Sequence, residues 1–250
     1  LAAGAGLLVT GLISATKEAA NAEFVQTKMA QALKQSAKAT TEQVDELTKY
    51  AEALQFKVGI DDENIKNGIA MLATFKLTTA QIKTATPALI DMAAAYKKST
   101  GEAVDLQQVA IMVGKATGGE LYKNLQRVGV IFNETQLAML ENADAAERLR
   151  IVTEELGNEF GGQALAQAYT FSGKMTIMGL YFDEFKEKVG MAVINGLTPF
   201  VDTMMIWARS TEGQAKILEI TTKIVDMITQ MVNWATQVAI PWIQTHWPQI

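Results

Sequence analysis

The sequence contains no cysteine and a single histidine, His246. The absence of cysteine excludes a disulfide scaffold, a thiol nucleophile and any cysteine-ligated zinc or iron–sulfur centre. One histidine excludes histidine-rich metal sites and leaves a Ser–His–Asp triad a single base to draw on. Only four prolines occur, and strand-type runs are few, which points to helix. Positive charge is scarce: 22 Lys+Arg against 27 Asp+Glu gives a net charge of −5. A free-standing nucleic-acid binder needs a basic surplus to displace counterions from phosphates, so sequence-specific nucleic-acid binding is not expected. Charge is missing altogether from residues 1–16 and 227–250.

At 250 residues and 49% hydrophobic content, the chain is long enough to bury a core. It starts at Leu1 without Met and ends at Ile250 inside an apolar stretch, as expected of a fragment of a longer, elongated protein. Residues 1–16 are too short to span a bilayer, which takes ~20 apolar residues, and no basic residue precedes them as in a signal peptide. They read as a buried helix end, or as part of a longer apolar helix.

Residues 17–54 have neither Pro nor Gly. Val25, Met29, Leu33, Ala37, Val44, Leu47, Ala51 and Leu54 recur at spacings of three or four, with Thr40 filling the gap. The expectation is one long amphipathic helix over 17–57. Gly59 ends it, and Asp61 and Asp62 start a helix through Phe75, since carboxylates satisfy free amides at a helix N-terminus. Thr78 with Gln81 has capping-box spacing and opens a helix to about residue 98. Pro87, inside it, either kinks that helix or starts another. Asp105 caps a helix to Lys115, residues 120–127 form one or two turns, and Asn133 with Gln136 is another cap. Residues 128–132 are the nearest approach to a strand and read as an extended connector. A charged amphipathic helix follows over 143–160, ended by Gly161 and Gly162. Residues 164–195 read as a long helix with Phe171, Met175, Met178, Phe182, Phe185, Val189 and Val193 on one side. Gly196 and Pro199 are expected to stop it, with apolar helices restarting over 198–208 and 211–239. The fold class is all-α: long amphipathic helices plus a compact multi-helix region. The organisation expected is an apolar segment over 1–16, the long helix over 17–57, a compact helical region over 58–205 and an apolar, Trp-containing segment over 206–250.

Reactive constellations are not evident. Gly114-Lys115 and Gly118-Gly119 lack Walker spacing and a preceding strand. Asp61, Asp62 and Glu63 lack the glycine and downstream acid of a calcium loop, so helix capping accounts for them better. Adjacent acids such as Asp183/Glu184 and Glu154/Glu155 point in different directions on a helix and do not form a glycosidase pair. No enzyme activity, cofactor or metal is expected. Trp207, Trp234, Trp242 and Trp247 are candidate membrane or partner contacts, because tryptophan suits an interface with one apolar and one wet side. The uncharged segment 227–250 also carries Gln230, Asn233, Gln237 and Gln244, which favours burial against partner chains over an ordinary lipid-facing span. Gly129, Gly161, Gly162, Gly173, Pro87 and Pro199 are candidate turn and packing positions, and Thr170 and Ser172 candidate caps.

Three ordered stretches carry a resemblance. They are FKLTTAQIKTATPALIDMAAAYKKSTGEAVDLQQVAIMVGKATGG at 75–119, LQRVGVIFNETQLAMLENADAAERLRIVTEELGNEFGGQALAQAYTFSGKM at 125–175, and LYFDEFKEKVGMAVINGLTPFVD at 180–202. The set resembles the tail tape measure proteins of long-tailed, siphovirus-like bacteriophages over roughly residues 45–205. Lys76, where a Gly before the Leu-Thr turn is common, is a small departure. The resemblance implies a structural tail protein that sets tail length and scaffolds tube assembly, then leaves at DNA ejection. It implies a homo-oligomer, a trimer by analogy, in the tail lumen or tip. Implied partners are tail tube and tail tip or distal tail proteins and tail assembly chaperones, with the host membrane at ejection. The alternative is a membrane-inserting or channel-forming segment that helps deliver DNA across the host envelope. A coiled-coil or toxin-type protein of convergent composition is a further reading.

Overall fold

The computed structural model describes residues 2–96, 105–118 and 122–239. Every regular element among them is helical: α1 (Ala2–Ser36), α2 (Thr41–Val58), α3 (Asp62–Thr74), α4 (Thr79–Ala95), α5 (Leu106–Thr117), α6 (Tyr122–Arg127), α7 (Glu134–Asn142), α8 (Ala145–Phe160), α9 (Gln163–Ala168), α10 (Phe171–Arg209) and α11 (Thr211–Trp234), followed by a π turn, Ala235–Ala239. No strand occurs among the described residues. The chain divides into two compact units, 1–192 and 193–250, with the division inside α10.

Side-chain caps start most helices of the first unit. Thr40, Thr78 and Asn133 each form a full capping box with Gln43, Gln81 and Gln136, in which side chains and backbone amides three residues apart satisfy one another. Asp61, Asp105 and Asp144 accept from backbone amides at the starts of α3, α5 and α8. Arg148 acts at the opposite end: its guanidinium donates to the carbonyls of Leu140, Glu141 and Thr117, where α7 and α5 run out of intrahelical partners. Across the chain, the Asp91 carboxylate on α4 accepts the N–H groups of Gly162 and Ala164, both at 3.0 Å, and so caps α9.

The single helix expected over 17–57 is two helices. The chain leaves α1 at Ser36, Lys38 adopts a left-handed φ of 56°, and Thr40 caps α2. Gln26 Nε2 donates to Thr48 Oγ1 at 2.8 Å. In one straight helix those residues would be ~33 Å apart, so the segment is folded back. The capping box at Thr40 outweighs the apolar spacing that runs through it.

The long helix expected over 164–195 differs at both ends. It is interrupted at Tyr169 and Thr170, and Thr170 Oγ1 accepts the Gly173 N–H at 3.0 Å to start α10. Ser172 lies inside α10 and accepts through its carbonyl rather than capping. The expected stop at Gly196 and Pro199 does not occur: α10 continues to Arg209. Pro199 removes one amide donor, the bond to the carbonyl of Asn195. Asn195 is exposed, so water can take that carbonyl, and the loss is too small to end the helix. Pro87 is likewise accommodated within α4. The carbonyl it leaves free, that of Lys83, accepts the Tyr50 hydroxyl at 3.4 Å.

The core of the first unit is built around α3, which packs against α1, α2, α4 and α5, while α4 also meets α8 and α9. Met29, Leu33, Leu47, Ile69, Leu72 and Leu89 are among its fully buried side chains. Gly114, one of the glycines of the superficial phosphate-loop pattern, is a packing position: a Cβ there would stand 2.1 Å from the Phe75 ring. Residues 128–132 form the expected extended connector. Val130 and Phe132 point inward, Ile131 points out, and the Ile131 N–H donates to Glu159 Oε1 at 2.6 Å.

Candidate interaction surfaces and an acidic cavity

Two helical faces stand out because nothing among the described residues covers them. On α10, Phe171, Met175, Met178, Phe182, Phe185 and Val189 recur at spacings of 4-3-4-3-4. The first five are exposed, between 47% and 82%. That alternation is the 3.5-residue period of a coiled-coil seam. The opposite face of α10 is the one that packs in the first unit. It carries buried Leu180 and Gly190, and Tyr181 stacks on Phe56 of α2 with ring centroids 4.2 Å apart. In the second unit, Ile217, Ile220, Ile224, Met227, Met231 and Trp234 of α11 recur at 3-4-3-4-3. All six are 46–64% exposed. Such a row costs free energy in water, and the regular answer is another helix.

The second feature is a cavity of about 110 Å³ where α10 meets α1, α2 and the start of α3. Asp61, Asp62 and Glu63 converge there, their carboxylates within 4.8 Å of one another. Each has an assigned task. Asp61 accepts the Glu63 N–H at 3.0 Å. Asp62 is buried and pairs with Lys66 at 2.6 Å, an ion pair almost out of contact with solvent. Burial, with Asp61 and Asp62 beside it, pushes the Glu63 carboxyl up to about 10, so it is a hydrogen-bond donor at neutral pH. Burial alone would push Lys66 down, but Asp62, Glu52 and Glu63 together hold it above its ordinary value. From α10, Glu184 accepts from Gln55 Nε2 at 2.6 Å. Glu187 is pushed up to about 7 by burial first, then by Glu184 and Asp62.

Of the residues singled out from the sequence, Trp207 is partly buried and Trp234 lies on the α11 seam. Trp242 and Trp247 lie outside the described residues. Gly129 and Gly162 have left-handed φ values of 94° and 81°, Gly161 follows α8, and Gly173 sits in the first turn of α10. None of these lines the cavity. In the sequence, Asp61–Glu63 and Asp183/Glu184 are separate groups, and nothing local says that residues 120 positions apart share a space. The heptad spacing, by contrast, is readable in the sequence, but its exposure is not. Among the described residues one helix, α10, is long and apolar enough to cross a membrane, with a stretch of mean hydropathy 1.4.

Comparison with known proteins finds no matching family model, no matching curated protein and no matching solved structure.

Proposed function

We propose that this chain is part of a structural tail protein of a long-tailed bacteriophage, a length ruler and scaffold for tube assembly that leaves at DNA ejection. The observation that carries this reading is the pair of exposed heptad seams on α10 and α11, set beside the ordered resemblance over residues 45–205. A ruler must expose helices to copies of itself or to surrounding subunits, whereas an enzyme must assemble reactive groups in a cleft. Isoleucine at both seam positions of the first α11 heptad, Ile217 and Ile220, favours three or four strands over two, which agrees with the trimer that the resemblance implies. Tube, tip and chaperone proteins are the partners proposed for the remaining exposed surface, within the tail lumen or tip.

The folded-back 17–54 segment is a poor gauge of length; α11 is a better one. Inserting four further copies of residues 217–230 in the encoding gene keeps the heptad phase and adds 56 residues. Tails are expected to lengthen by ~84 Å at ~1.5 Å per residue, measured by electron microscopy. Unchanged length would overturn the ruler reading for this segment.

A second reading, a membrane-inserting segment that aids DNA delivery across the host envelope, is favoured by the apolar stretch of α10. It expects the full chain to release dye from anionic lipid vesicles. Intact vesicles at micromolar protein would count against it.

A further inference from the structure

Beside the apolar contacts that hold α10 on the first unit, one part of the interface sets acids against acids. α1 brings Glu18 to the cavity, and the start of α3 brings Asp61, Asp62 and Glu63. α10 answers with Asp183, Glu184 and Glu187. The ion pairs of the nearby cations lie within single helices, while at longer range Lys66 of α3 acts on Glu187 and Glu18 of α1 acts on Lys186. Lys66 pairs with Asp62 within α3, while Lys186 pairs with Asp183 and Lys188 with Glu184 within α10. α2 contributes Glu52, which acts on Lys66, and the neutral Gln55, whose amide donates to Glu184. Backbones approach closely beside this cluster: a Cβ on Gly190 would stand 1.9 Å from the carbonyl oxygen of Ala15. Glu63 and Glu187 are therefore held partly out of water in a tight interface, where burial and neighbouring carboxylates (Asp61 and Asp62 for Glu63; Glu184, Asp62 and Asp61 for Glu187) outweigh the one opposing cation, Lys66.

We propose that this interface is a proton-operated clasp: protonation of the facing carboxyls holds α10 against α1 and α3, and their ionisation releases it. The clasp is independent of the chain's place in a tail and rests on the first unit alone. Like charges a few ångströms apart in a poorly solvated space repel, and removing a proton from either side adds to that repulsion. The raised values of Glu63 and Glu187 set the direction. A carboxyl whose value is higher in the closed state than in the open one binds its proton more tightly when closed. Closure is then favoured in full below the ordinary value near 4.5. It weakens as pH rises through about 7 for Glu187 and on towards about 10 for Glu63. The clasp closes in acid and loosens towards neutral and alkaline pH, the reverse of an ordinary carboxylate ion pair. Releasing α10 would uncover the small residues Ala15 and Ala19 of α1.

Hydrogen exchange on the full chain tests this, with rates corrected for the intrinsic pH dependence. The protection of α10 amides between 177 and 190 should fall at least about tenfold from pH 5 to pH 8. The helices α4 and α8, distant from the cavity, serve as the internal reference and should hold their protection. In the Glu63→Gln/Glu187→Gln variant the α10 protection should be high at both pH values and change less than about twofold. Glu187→Gln alone, which leaves the α3 cluster intact, should lose most of the pH dependence of α10 protection and covers the case in which the double variant does not fold. Equal α10 protection in the native chain at pH 5 and pH 8, or a double or Glu187→Gln variant that keeps the native pH dependence, would overturn the proposal.

Discussion

Replacing Lys66 with alanine is expected to cost the first unit about 3–5 kcal/mol. The Lys66 ammonium and the Asp62 carboxylate are 2.6 Å apart and almost completely enclosed. Removing the ammonium leaves a buried carboxylate with no cation beside it and Asp61 and Glu63 within 4.8 Å. Asp62 would then take up a proton or draw in water, and either response costs stability. Its position in the first turn of α3, where free amides and the helix dipole favour a negative charge, moderates the loss. The double variant Asp62→Leu/Lys66→Leu separates the worth of the pair from the cost of orphaning one partner. It is expected to recover most of the stability, because apolar replacement of a buried pair is often neutral. Urea denaturation at one fixed protein concentration measures both, since any self-association would otherwise change the apparent stability. A Lys66→Ala chain within about 1 kcal/mol of native would show the pair to be solvated.

The second large effect is expected at α11. Aspartate at two seam positions, Ile224→Asp with Met231→Asp, should weaken self-association by more than about 100-fold, because every copy would bury two unpaired carboxylates. Sedimentation equilibrium reads this directly. The native chain should be an oligomer at micromolar concentration, and the variant a monomer. Thr222→Asp places the same charge on the outer face of the same helix, away from the seam, and should leave the oligomer intact. A native chain that is monomeric throughout, or a double variant that associates like native, would sink the self-association reading. If the seam instead meets a tail tube subunit, the native chain would be monomeric and bind tube protein, with the same substitutions abolishing that binding.

Both results concern features that sequence reading reached only in part, and the reasons differ. The three capping boxes depend on residues three apart, so they are local and legible: Thr78 with Gln81 and Asn133 with Gln136 were read from spacing alone. Thr40 with Gln43 has the same spacing, yet it sits within an apolar stripe of helical period, and there the competing signal prevailed. Pro199 misled in the opposite direction. Proline commonly marks a helix end, but one lost amide bond on an exposed stretch is a small cost against a helix that continues on both sides.

By itself, the sequence determined that the chain is helical, where most helices start, and that these residues hold no cysteine chemistry and no histidine-rich metal site. The apolar row from Phe171 to Val193 was also legible as one side of a helix. Only the tertiary structure decided that 17–54 folds back, because that depends on whether a four-residue break can be stabilised by packing both halves on α3. Only the tertiary structure decided that the Phe171–Phe185 row faces outward, since α10 had two apolar faces and α1 and α2 took the other. It alone brought Glu18, the Asp61–Glu63 group and the acids of α10 into one cavity. Those residues are more than 40 and then more than 100 positions apart. Charge repulsion at such separations has no local signature, and it acts only after burial elsewhere in the core has forced the helices together.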